Sequence, residues 1–208
     1  HGSLHNLPAH ILQARCDEDG ILIEAEMRDS ALFGKNLRLR RRIQMEIGGN
    51  ALTIEDELFN DGFEAEDYCL LYHINLGYPF LDEGTHLVWD AKEIIPRTAA
   101  AEQKRAECTK ISAPEIGQEE NCYFVMLNRP EVKVVSPKCG KTFTLTYSGD
   151  TLPHFIEWKS MRSGDYALGL EPCTSLLDDQ FAYSRIERGE RKRFCIKMTL
   201  EKLSGEEL

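Results

Sequence analysis

Hydrophobic and polar residues alternate with period two along most of the chain, which is typical of half-buried β-strands. The alternation is clear in Ile21–Met27, in Leu37–Arg40 continuing through Ile43–Ile47, and in Ala51–Leu58. Gly48-Gly49-Asn50 lies between the last two segments and predicts a hairpin turn. Further strands are predicted at Tyr68–His73, Asn121–Leu127, Glu131–Ser136, Lys141–Tyr147, Phe155–Trp158, Tyr166–Leu170 and Arg193–Leu200.

Only Thr98–Cys108 has the composition of a helix or a polar connection. Many strands joined by short turns of Gly, Asn and Asp predict an all-β fold, an antiparallel sandwich or barrel. The chain of 208 residues, 42% hydrophobic, is long enough for one domain with a sizeable core. Because no repeat or low-complexity linker marks a boundary, we expect a single domain over residues 1–208.

The net charge and the cysteines limit the kinds of partner and the cellular location that we expect. A net charge of -10 disfavours nucleic acid, and the basic run Arg38–Arg42 is predicted to be the solvated face of a strand. No apolar run approaches the roughly 18 to 20 residues that span a bilayer, so no membrane partner is expected. The seven cysteines are scattered without a paired motif. They predict reduced thiols, a cytoplasmic location and no zinc site, with buried thiols at Cys16, Cys69, Cys122 and Cys195.

One carboxylate lies inside an apolar, strand-like segment. Glu171 follows Leu168 and Leu170, which are expected to bury it. Desolvation disfavours the charged form and raises the pKa of a carboxyl group toward the range of a general base at neutral pH. Together with His1 and His73, Glu171 predicts acid/base chemistry on a small neutral molecule.

Three polar segments, in this order and at this wide spacing, resemble the galactose mutarotase-like superfamily of aldose 1-epimerases. The resemblance is strongest to an uncharacterised bacterial branch known only as a domain of unknown function. The segments are His1-Gly2 ahead of Pro8-Ala9, then His73–Gly84, and then Glu157–Lys159 with Gly164–Pro172. The resemblance implies a β-supersandwich that lacks its first strands in this chain, with a sugar pocket on one concave face.

The resemblance also implies roles for single residues. His73 resembles the acid that protonates the pyranose ring oxygen, and Glu171 resembles the base that removes the proton of the anomeric hydroxyl. His1 resembles a histidine that holds the sugar, although Ser3 replaces a family glycine and His1-Gly2-Ser3 as the remnant of a tag stays open. The acid and base are expected on opposite sides of the ring. No metal or other cofactor is expected.

The substrate-binding candidates are Asn75, Asp82, Trp158 and Lys159, in addition to His1. The family aspartate that grips sugar hydroxyls has no counterpart here, and Asp82 or Lys159 could take its place. Each candidate has a structural alternative: a turn for Asp82, a core position for Trp158 and a surface ion pair for Lys159. His73 could likewise be a satisfied strand histidine, and Glu171 could be paired with Lys159 or an arginine.

The leading hypothesis is an enzyme that interconverts the anomers of a sugar by general acid/base ring opening. The alternative is a carbohydrate-binding or sensing module that keeps the pocket without turnover. A third hypothesis is an isomerase or epimerase acting at another carbon of a keto sugar. The expected partner is a small-molecule sugar, and a homodimer is left open.

Overall fold

The computed structural model describes residues 2–179 and 181–203. Within these ranges the chain is almost entirely β-structure. The strands are β1 (His10–Asp17), β2 (Gly20–Ser30), β3 (Asn36–Met45), β4 (Ala51–Asn60), β5 (Glu66–Tyr68), β6 (Ile74–Leu76), β7 (His86–Pro96), β8 (Asn121–Ser136), β9 (Lys141–Tyr147), β10 (His154–Arg162), β11 (Asp165–Cys173), β12 (Ser184–Ile186) and β13 (Arg191–Lys202). The helices are α1 (Ala99–Gln103) and the 3₁₀ turns Leu4–Asn6 and Arg105–Glu107.

The period-two pattern located most strands, including the hairpin of β3 and β4 across Gly48-Gly49-Asn50. The pattern missed four strands, β1, β6, β7 and β12. β7 is irregular, because its register with β8 shifts twice between Trp89 and Glu93. The strand predicted over Tyr68–His73 is broken, with β5 ending at Tyr68 and an isolated bridge from Leu71 to Cys173.

The described residues form two compact units. The first contains β1 to β5, β12 and most of β13, and in it β1, β2, β3, β4 and β13 follow one another as antiparallel neighbours. Here Arg38 and Arg40 pair with acidic side chains, as expected for a solvated strand face, whereas Arg41 binds the buried Asp56.

The second unit contains β6 to β11 and α1. One edge of β8 pairs with β9 and β10, and β10 is followed by β11 and β6, all antiparallel. The opposite edge of β8 pairs with β7. β8 pairs with β10 through residues 121–124 and with β9 through residues 131–136. Pro130 lies between these two stretches, at a position where a missing N–H costs no ladder hydrogen bond. All the candidate site residues that the structure describes lie in this unit.

The thiols are partly as expected. None of the seven cysteines, all of which the structure describes, forms a disulfide, and Cys122 is buried. Cys16 and Cys69 are exposed and Cys195 is only half-buried, so the prediction of buried thiols was wrong for these three. Cys16 is exposed because every residue of β1 is exposed. Within the described residues, none of the helices has the length and hydrophobicity needed to cross a membrane.

Candidate functional site

The candidate site lies on one face of the second unit's sheet and is set by the strand register. Residues paired across antiparallel strands share a face, and neighbouring residues along a strand point to opposite faces. Cys122 pairs with Trp158, Trp158 pairs with Gly169, and Gly169 pairs with Asn75. Glu171 is two residues from Gly169 and therefore shares this face, which we call the site face.

His73 and Glu171 are in direct contact on the site face. The His73 Nε2 atom lies 3.0 Å from Glu171 Oε1, although the two residues are 98 positions apart in the sequence. The Glu171 side chain is 6% exposed and that of His73 is 35% exposed. A partly exposed imidazole is therefore in direct contact with a carboxylate that is almost fully buried. Leu168 and Leu170 are fully buried, as expected, but they lie on the opposite face of the sheet with Lys159 and Glu157, so they do not bury Glu171.

Gly169 makes room for this contact. A Cβ atom at this position would lie 2.9 Å from Glu171 Oε1, 3.0 Å from His73 Cε1 and 3.2 Å from Trp158 Cε3. Distances below 3.0 Å are not compatible with normal packing. The glycine is needed here for space, because any side chain would enter the volume where the three groups meet.

Trp158 forms the half-buried floor beside the pair. Its ring packs edge-on against His73, with 5.7 Å between the ring centroids. The indole Nε1–H donates to Glu120 Oε2 at 2.9 Å, and Glu120 is exposed in the segment just before β8. Trp158 also packs against a buried cluster of Cys122, Phe124, Ile156 and Cys173. The indole is thus both part of the core and part of the site face.

Burial raises the pKa of Glu171 to about 7, in the direction expected from the sequence. The positive charge of Arg97 opposes this shift in pKa and the negative charge of Glu120 adds to it. Since the pKa stays near 7, desolvation outweighs the attraction of Arg97. Glu171 can therefore both accept and release a proton at neutral pH.

Lys159 points to the opposite face of the sheet. It is buried, and its Nζ donates to the backbone oxygens of Glu107, Cys108 and Lys110. Nζ also lies 3.4 Å from Oε1 of the fully buried Glu157. The structure therefore does not bring Lys159 together with His73 and Glu171, because adjacent residues on a strand alternate faces.

The remaining candidates are placed as follows. Asn75 is exposed in β6, two residues from His73 and opposite Gly169. Asp82 forms a turn, in which the Thr85 N–H donates to the Asp82 backbone oxygen, and its carboxylate binds Lys138 Nζ at 2.9 Å. This geometry is the turn that the sequence offered as an alternative for Asp82. His1 lies outside the described residues.

Two residues with a direct influence on Glu171 were missed. Arg97 follows β7, which the alternation did not locate, and Glu120 precedes β8 in a polar segment without periodicity. A charged residue directly before or after a predicted strand would have been the usable signal, but only for Glu120, since the start of β8 was predicted.

Comparison with known proteins gives the family. Residues 1–199 match the family described as a domain of unknown function, DUF4432. The chain belongs to this family. A search of curated proteins finds no match.

This chain has a fold that matches several solved structures. It is similar to a candidate aldose 1-epimerase from Klebsiella pneumoniae, with a TM-score of 0.82, 22% identity, and coverage of 90% of this chain and 52% of the other. The chain thus spans about half the length of that protein. A second candidate aldose 1-epimerase, from Escherichia coli, has a TM-score of 0.68 at 13% identity, with coverage of 98% and 72%.

A galactose mutarotase-like protein from Clostridium acetobutylicum has a TM-score of 0.70 at 14% identity, with coverage of 98% of this chain and 69% of the other. At these identities the likeness establishes the fold. This DUF4432 chain therefore has the galactose mutarotase-like β-fold that the sequence resemblance implied.

Proposed function

We propose that this DUF4432 chain binds a sugar on the site face and interconverts its anomers by general acid/base catalysis. The observation that carries the proposal is the 3.0 Å contact between His73 Nε2 and Glu171 Oε1 beside the Trp158 indole. The carboxyl group of Glu171, whose pKa is about 7, can exchange a proton with a bound hydroxyl at neutral pH, and the His73 imidazole is placed beside it as a second proton-transfer group. The names of the solved structures with this fold support the same reaction class.

The reaction needs two proton transfers at neighbouring atoms. The Glu171 carboxylate removes the proton of the anomeric hydroxyl while the His73 imidazolium gives a proton to the ring oxygen. The bond between the anomeric carbon and the ring oxygen breaks, and the anomeric carbon becomes a carbonyl. After rotation of that carbonyl, the new hydroxyl attacks its other face and both protons return, so that no electrons are gained or lost.

The contact between acid and base fits this sequence of steps. The ring oxygen and the anomeric oxygen are bonded to the same carbon, so the groups that serve them must lie close together. The two groups were expected on opposite sides of the ring, but the structure has them side by side at 3.0 Å. A sugar resting on Trp158 would present both oxygens to the pair from one edge.

Trp158 and the burial of Glu171 complete the proposed site. Sugar rings have an apolar face that packs on aromatic rings, and the hydrogen bond from Trp158 to Glu120 fixes the orientation of the indole. Asn75 is exposed opposite Gly169 and is placed to bind a hydroxyl. Asp82 and Lys159 are occupied by Lys138 and by backbone oxygens, so we give the binding role to Asn75 and Trp158.

The test is NMR exchange between anomer signals, measured on hexoses, pentoses and keto sugars with and without the protein. Glu171→Gln should reduce the acceleration by about 100-fold or more, because an amide cannot take the proton, and should leave affinity within a few-fold. His73→Ala should also abolish it. Glu157→Gln is the matched control, since Glu157 is also a buried glutamate with a pKa near 7 but lies on the opposite face.

The outcomes separate the hypotheses. Acceleration that is lost in Glu171→Gln and kept in Glu157→Gln supports the proposal and identifies the sugar. Sugar-dependent line broadening without exchange indicates the binding module instead. If affinity and acceleration fall together in Glu171→Gln, then Glu171 is a binding residue and its assignment as the base is wrong.

A further inference from the structure

Arg97 is a further residue of the site face. It directly follows β7, and its backbone N–H donates to the Cys122 backbone oxygen at 2.9 Å. This continues the pairing of β7 with β8 and places the Arg97 side chain on the face that carries Cys122 and Trp158. The positive charge of the guanidinium opposes the rise in the pKa of the Cys122 thiol that burial causes. A cation therefore lies in the same row of residues as the indole, with Cys122 between the two.

The charge of Arg97 is not used by a carboxylate of the protein. Among residues 2–179 and 181–203, no carboxylate oxygen lies within 4.0 Å of its guanidinium, whereas most other arginines form such ion pairs. The chain has 35 acidic and 25 basic residues, so the lack of a partner does not reflect a shortage of acids. Arg97 is also exposed, and solvent reaches it.

Neither Glu171 nor Glu120 takes this charge. The hydrogen-bonding contact of Glu171 is with His73, and burial keeps the pKa of Glu171 raised despite Arg97. Glu120 is bound by the Trp158 indole. The groups that face Glu171 are thus His73 from the segment before β6, Arg97 from the end of β7, and Glu120 with the Cys122 thiol from the start of β8.

We propose that Arg97 binds an anionic substituent of the sugar, so that the substrates are sugar acids or sugar phosphates rather than neutral sugars. The inference rests on the proposed anomer exchange at His73 and Glu171. A guanidinium presents a planar fork of donors that matches a carboxylate or phosphate bidentately. Repulsion by Glu120 would direct such a group toward the Arg97 end of the site.

The experiment compares matched sugars that differ in one group: glucose with glucuronate and with glucose 6-phosphate, and galactose with galacturonate. Anomer exchange is measured for the wild type, Arg97→Gln, Arg97→Lys and the control Arg105→Gln. Arg105 is also exposed and without an ion pair among the described residues, but its 3₁₀ turn supplies a carbonyl to Lys159 on the opposite face. The control thus has the same change in net charge without a change at the site.

The wild type should prefer one of the charged sugars. Arg97→Gln should lower kcat/KM for that sugar by about 10- to 100-fold more than for its neutral partner, as expected for a charge-assisted hydrogen bond, while both sugars share the effect of the higher pKa of Glu171 that follows the loss of the Arg97 charge. Arg97→Lys should restore part of the loss, and Arg105→Gln should match the wild type. Preference for carboxylate or for phosphate tells sugar acids from sugar phosphates.

Other results overturn the inference. A wild type that prefers neutral sugars contradicts the role of Arg97 but leaves the proposed anomer exchange intact. An equal loss for charged and neutral sugars in Arg97→Gln has the same meaning. If no sugar exchanges, binding is followed through the Trp158 indole NMR signal. Binding of a charged sugar that Arg97→Gln removes would then support Arg97 while refuting the exchange. Absence of both exchange and binding refutes both proposals.

Discussion

Replacing Gly169 with alanine tests whether the His73–Glu171 contact is what makes the site face active. The added methyl would lie 2.9 Å from Glu171 Oε1 and 3.0 Å from His73 Cε1, whereas ordinary contacts begin at 3.4 Å. To reach ordinary contact the carboxylate has to move by about 0.5 Å, the difference between 3.4 and 2.9 Å, and the imidazole by about 0.4 Å. Because both groups of the pair are displaced, we expect their 3.0 Å contact to be disturbed.

Both activity and stability should respond to this substitution. A misplacement of about 1 Å can cost a reaction about 100-fold, so we expect Gly169→Ala to lower the rate of anomer exchange by about 10- to 100-fold. Overpacking in a rigid environment costs about 1 to 3 kcal/mol, so the free energy of unfolding should fall by a similar amount. The rate is measured by NMR exchange at saturating sugar and the stability by urea unfolding, at one pH and temperature.

Gly77→Ala is the matched control in the same unit. A Cβ atom at Gly77 would meet only the Tyr166 backbone oxygen, at 4.0 Å, so the substitution should leave both measurements close to those of the wild type. Normal exchange in Gly169→Ala would refute the argument that the contact between His73 and Glu171 is required. Unfolding of both variants to the same extent would show that the effect is not specific to the site.

Two further predictions concern charge. Burial raises the pKa of Glu157 to about 7 from 4.5, so the folded state keeps a proton that the unfolded state releases and stability falls as the pH rises through this window. In Glu157→Gln this pH-dependent loss of unfolding free energy should be smaller by about 3 kcal/mol than in the wild type. Equal slopes of the unfolding free energy against pH, from pH 5 to 8, in the wild type and the variant would contradict the prediction. Glu120→Gln keeps an oxygen for the Trp158 indole but removes a charge that raises the pKa of Glu171, so the acidic limb of the pH–rate profile should move to lower pH. An unshifted limb, or the same shift in Glu119→Gln, would count against this role, because the neighbouring Glu119 is not among the charges that act on the pKa of Glu171.

The sequence predicted the strands wherever the hydrophobic alternation is regular. It missed β7 because two shifts in register interrupt the alternation between Trp89 and Glu93. It missed β1 because every residue of that strand is exposed, so polar residues are tolerated on both faces. It also predicted two strands over Asn121–Leu127 and Glu131–Ser136, where β8 runs continuously and exchanges one partner for another near Pro130.

The main pair of the site was predictable because each member has an unusual local sequence. Glu171 is a carboxylate in an apolar strand, and His73 is followed by a segment rich in turn residues. Their contact across 98 positions could not be derived from local pattern, since it depends on the pairing of β11 with β6. The local sequence made both residues candidates for acid/base chemistry, and the family resemblance gave them their separate roles.

The alternation of side chains along a strand explains why the neighbours Trp158 and Lys159 lie on opposite faces of the sheet. Once Glu171 is on the site face, its register partner Ile156 shares that face, and so does Trp158, two residues further along β10. Lys159 and Glu157 must then point the other way, where both are buried and form an ion pair, and where Lys159 also donates to backbone oxygens. A single antiparallel pairing thus assigns one carboxylate to the site face and a second one, with a similar pKa, to the core. This is why substitutions at Glu171 and Glu157 should separate catalysis from stability.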